Sequence, residues 1–123
     1  MVATPIRTMP HFTVTTVDGQ TVDYAKDVWQ RKNIVLIAVP VASGDDEVAT
    51  RYAPLAAEDT RLVVTSAPVP GLAAPAVLVA DQWGEVAQSA TASSVQELPG
   101  PDELLSWLEH VRQRCPECEG EAR

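Results

Sequence analysis

Cysteine is almost missing from this 123-residue chain: there are two, Cys115 and Cys118, both close to its end. A disulfide framework is therefore excluded, and the core has to hold by burial, which a chain of this length can achieve in one domain. Basic residues are scarce as well. Nine Lys and Arg stand against 17 Asp and Glu, a formal charge of −8, which argues against nucleic acid or an anionic membrane as partner, since both need a basic surface. Aromatic residues make up 5% of the chain. Trp29, Trp83 and Trp107 are expected to serve packing and not a stacking platform. No apolar run is long enough to span a bilayer, and MVATPIRTMP lacks the basic start and apolar stretch of a secretory signal, so a cytoplasmic location is the expectation.

What is present is a hydrophobic share of 46%, dominated by Val, Ala and Leu, as in a soluble α/β protein. The pattern divides into an extended lead-in over residues 1–10, a domain over 11–114 and a tail over 115–123. HFTVTTVDGQTVDY alternates apolar and polar side chains around Asp18-Gly19, which predicts two short antiparallel strands and a tight turn. NIVLIAVP, residues 33–40, is a nearly unbroken apolar run suited to a strand buried on both faces. SGDDE follows at 43–47. Ser43 and Asp46 resemble a capping box, the acids at 45–47 suit the positive first turn of a helix, and Val48, Tyr52 and Leu55 continue at helical spacing until Pro54 limits it.

RLVVTSA, residues 61–67, predicts a second buried strand, and PVPGLAAP carries too many prolines for a long helix. PAVLVADQWGEVAQSA reads as strand, turn and strand, reversing at Asp81 to Gly84. PDELLSWLEHVRQR predicts a helix with Pro101 at its first position, Arg112 and Arg114 near its negative end, and an apolar stripe of Leu104, Leu105, Leu108 and Val111 flanked by Trp107.

The Cys115-Pro-Glu-Cys118 spacing suits a redox dithiol and a zinc knuckle equally. As a redox pair it is poorly placed, because it follows the negative end of a helix among Glu117, Glu119 and Glu121, which raises a thiol pKa. As a metal site it supplies two ligands of four, so zinc would need further ligands or a second chain in a homodimer. An incidental tail is the third reading. His11 has no Cys, Asp or Glu at metal spacing and His110 lies off the apolar stripe, so both are expected to be structural or surface residues.

The order hairpin, strand, helix, strand, proline loop, strand, turn, strand, helix resembles a thioredoxin-like fold with one connecting helix shortened to a loop. HFTVTTVDGQTV, NIVLIAVP and PAVLVADQWGEV resemble the redoxin branch that includes peroxiredoxins of the alkyl hydroperoxide reductase and thiol-specific antioxidant type. The resemblance implies a mixed central sheet with an N-terminal β-hairpin and flanking helices, and it places Pro75 at the family's cis-proline. It also implies a catalytic cysteine at the start of the helix after the central strand, where a helix N-terminus lowers a thiol pKa. Here that stretch reads VASGDDEV. Counting from Pro40, Gly44 and Glu47 occupy the peroxiredoxin threonine and cysteine places. Ser43 has no nearby general base in the sequence, and acids at 45 and 46 would repel an anionic ligand. The expectation is a redoxin-type scaffold that has lost its catalytic residue, with no cofactor and with an unknown protein partner or a second copy as its ligand. The alternatives are an oxidoreductase or antioxidant acting through Cys115 and Cys118, or a homodimer linked by zinc at that pair.

Overall fold

The computed structural model describes residues 8–17, 19–40, 45–67 and 69–113. The hairpin forms as its alternation requires. Strands β1 (Thr13–Thr15) and β2 (Thr21–Asp23) pair antiparallel with Val14 opposite Val22, both buried, while Thr13, Thr15 and Thr21 face solvent. Gly19 turns the chain at φ +91°, and Thr16 closes the turn by accepting the Gln20 N–H on its hydroxyl at 3.1 Å. Asp18 lies outside the described residues.

The apolar run after the hairpin becomes β3 (Asn33–Ala38), and every residue from Ile34 to Val39 is buried. It lies at the centre of a four-stranded sheet: β4 (Thr60–Thr65) pairs with it in parallel, β5 (Ala76–Ala80) pairs antiparallel on its other side, and β6 (Val86–Thr91) pairs antiparallel with β5. The molecule is thus mixed α/β. Side chains of β3 alternate between two apolar layers, which is why its sequence has no polar face. Val35, Ile37 and Val39 join Val77, Val79 and the helices, whereas Ile34 and Leu36 meet Phe12, Val14, Val22 and Tyr24 beneath the hairpin.

Both α-helices lie on one face. Helix α1 (Asp45–Tyr52) buries Val48 and Tyr52, and a 3₁₀ turn over Ala53–Leu55 then buries Leu55; the chain leaves α-helical geometry where Pro54 removes a donor. Tyr52 donates its hydroxyl to the Pro99 carbonyl at 2.6 Å. Ser43, and with it the capping box to Asp46, lies outside the described residues. Helix α2 (Pro101–Gln113) buries Leu104, Leu108 and Val111 against the sheet. Leu105 departs from the expected stripe: it is 38% exposed, and Trp107 packs on the core instead. The cause is angular. At ~100° per residue, Leu105 points about 100° away from Leu104, while Trp107 and Leu108 flank Leu104 at about 60° and 40°.

The proline loop contains no helix among its described residues, and the Ala74–Pro75 peptide bond is cis, at the place where the redoxin resemblance puts it. The β5–β6 turn is held by Asp81, whose carboxylate oxygen Oδ1 accepts the N–H groups of Trp83 and Glu85, both at 2.9 Å. Residues 8 and 9, assigned to the lead-in, touch this turn: Thr8 bridges to Glu85, and buried Met9 donates its N–H to the Gly84 carbonyl at 2.8 Å. No helix among the described residues is long and apolar enough to cross a membrane.

Candidate functional site

Two ends of the sheet bear on function, and they lie at opposite ends of β3. The first is the corner after Ala38, where redoxin chemistry would sit. Ala38 is opposite Ala76, so Val39 and the buried Pro75 come together at the end of β3. Val39 donates its N–H to the Thr65 carbonyl at 2.9 Å, and Pro75 accepts the Ala92 N–H at 3.1 Å. Val39, Pro40, Thr65 and Pro75 therefore wall the corner, and α1 begins beyond it at Asp45. None of these four carries a thiol, imidazole, amine or carboxylate. The Thr65 hydroxyl is committed, donating to the Thr15 carbonyl at 2.8 Å and accepting the Ala67 N–H at 3.0 Å.

The imidazoles are elsewhere. His11 packs its ring 5.6 Å from Trp29 and 6.5 Å from Tyr24, and His110 is exposed in the last turn of α2. Among the described residues, no group of three His, Cys, Asp or Glu side chains is placed to hold a metal ion. Cys115 and Cys118, the candidate redox pair and candidate zinc ligands, lie outside the described residues. Their tether point is nevertheless fixed. Arg112 donates two hydrogen bonds to Asp59, at 2.8 and 2.9 Å, and the Asp59 carbonyl accepts the Asn33 N–H at 2.9 Å, which puts the end of α2 beside the start of β3. The corner follows Ala38, a strand length of ~17 Å away. Cys115 and Cys118 are two and five residues beyond Gln113, extended reaches of ~7 and ~17 Å.

The Asp59–Arg112 pair joins residues far apart in sequence, and no local pattern announces it. The bonds from Arg112 hold the Asp59 carboxyl below its ordinary range. A depressed carboxyl contributes stability that is present above its unfolded pKa of about 4 and is lost as pH falls through the folded value. The side chains are 33% and 49% exposed, so solvent screening limits the contribution to ~0.2–1 kcal/mol. Asp59→Asn should therefore lower urea stability by that amount at neutral pH and by progressively less below about pH 4. A deficit undiminished at about pH 2 would mean that Arg112 acts there through packing and not charge.

The second end of the sheet gathers aromatic and basic side chains that the sequence scatters. Residues Tyr24–Val28 form a π-helical turn, capped by Asp23, whose carboxylate accepts the Lys26 N–H. Trp29 donates its Nε1–H to the Trp83 carbonyl at 3.2 Å, and Trp83 itself is 51% exposed. Gln30 takes a left-handed φ of +67° and donates its N–H to the Gln82 carbonyl, fixing the end of the turn to the β5–β6 reversal. Beneath lies Tyr24, stacked on Phe12 at 5.5 Å, with a buried hydroxyl that has no hydrogen-bond partner among the described residues. Burial, and then the charge of Asp81, pushes this phenol up to about 12. No protein-family model matches the chain, and no curated protein matches it.

Proposed function

We propose that the chain is a thioredoxin-like, redoxin-type domain without the family's catalytic thiol, and that it serves as a non-catalytic binding or interaction module for a protein partner or a second copy, in a cytoplasmic setting. Three observations support the scaffold: the element order after the hairpin, the mixed sheet centred on β3, and the position of Pro75 against Val39. The loss of chemistry rests on one. From Pro40 to Glu47, the stretch in which this architecture needs a thiolate at a helix start, there is no cysteine, and the described walls of the corner offer neither nucleophile nor base.

Peroxide consumption in dithiothreitol and reduction of insulin disulfides test this reading. Both rates should equal the protein-free background, and Cys115→Ser with Cys118→Ser should not change them. A rate about tenfold or more above background, abolished by either serine variant, would establish the tail dithiol as a working redox centre and overturn the proposal.

A further inference from the structure

We infer that the acidic C-terminal segment, residues 115–121, docks in the cationic groove lined by Ala25, Lys26, Trp29, Gln30 and Arg31 of the same chain. The groove's charge is the first reason. Residues 23–32 carry Lys26, Arg31 and Lys32 against Asp23 and Asp27, in a chain whose overall charge is −8. Both acids are turned into the backbone: Asp27 accepts the Asp23 N–H at 2.8 Å and Asp23 accepts the Lys26 N–H at 3.3 Å. Lys26 and Arg31 are exposed, and among the described residues neither enters an ion pair. The groove is also shaped in advance, because Gln30 and Trp29 are each bonded to the β5–β6 turn. A partner meets two exposed cations beside a positioned indole.

The second reason is where the described chain ends. Arg112 is bonded to Asp59, Asp59 to Asn33, and Asn33 is two residues from Arg31. The segment therefore starts at the end of the sheet that carries the groove. Residues 114–121 reach up to ~26 Å when extended. The third reason is composition. PECEGE presents Glu117, Glu119 and Glu121 on alternate residues, so an extended segment would direct all three carboxylates to one side. Tethering supplies a high effective concentration, so weak charge pairing suffices to populate the docked state. This inference does not depend on the redoxin likeness.

Cross-linking tests it in the full chain. Ala25→Cys places a thiol in the groove, and Ser93→Cys places one next to Ala92, at the Pro75 end of the sheet. Under mild oxidation, an intramolecular disulfide from the introduced thiol to Cys115 or Cys118 should form at least about tenfold faster in Ala25→Cys than in Ser93→Cys. Adding Lys26→Glu and Arg31→Glu should slow it towards the Ser93→Cys rate. Equal rates in the two variants, or cross-links that form mainly between chains, would overturn the inference.

Discussion

Leu108→Ala should lower the free energy of unfolding by ~2–5 kcal/mol, whereas Leu105→Ala, in the same helix, should change it by no more than ~0.5 kcal/mol. The two leucines are chemically identical, so only their orientation separates them. Leu108 is fully buried among Val35, Ile37, Val77, Val79 and Tyr52, and truncating it leaves a cavity that the strands cannot close without breaking their ladder. Leu105 is one of two large apolar side chains among the described residues with substantial exposure, so its truncation removes little burial. Urea denaturation followed by far-ultraviolet circular dichroism measures both. Similar losses in the two variants would mean that α2 presents a different face to the sheet from the one described.

That contrast shows how far the sequence can be read. Runs of β-branched residues identified β3 and β4 because strands covered on both faces need no polar positions, and Asp81 to Gly84 identified the reversal because a carboxylate can accept the N–H groups of its own turn. Pro101 and the acids after it marked the start of α2. Angular position was harder to read, since Leu105 looks as apolar as Leu108 and only the ~100° step places it outside the stripe. The π-helical turn at Tyr24–Val28 spans five residues, too few for a period to show in the sequence. The aromatic end of the sheet was illegible for another reason. His11, Trp29 and Trp83 share no sequence interval, and folding alone brings them together. The missing thiol was legible by counting from Pro40, since that reading concerns which residue is present and not where its side chain goes.

Gly84→Ala should cost ~1–3 kcal/mol, and Tyr24→Phe should raise stability by about 1 kcal/mol, and the two effects should be coupled. Gly84 has φ +85°, a conformation in which an L side chain is strained, and an added Cβ would lie 3.2 Å from the Tyr24 hydroxyl and 3.5 Å from the Trp29 ring. The hydroxyl is buried with no partner among the described residues, so it has lost hydration without gaining a hydrogen bond there, and phenylalanine removes that cost while keeping the stack on Phe12. Because the phenol is pushed up to about 12, it stays neutral at physiological pH and the substitution removes no charge there. Its raised pKa also means that the unfolded chain gives up the proton first. Stability is lost as pH rises above about 10, the ordinary tyrosine value, and Tyr24→Phe should remove that part of the alkaline loss. In the Tyr24→Phe background, Gly84→Ala loses its contact with oxygen and keeps only backbone strain and the approach to Trp29, so its cost should shrink by a measurable fraction of a kcal/mol, ~0.5 or more. Strict additivity in the double-mutant cycle would place the hydroxyl away from Gly84 and leave φ strain as the whole reason for glycine at that position.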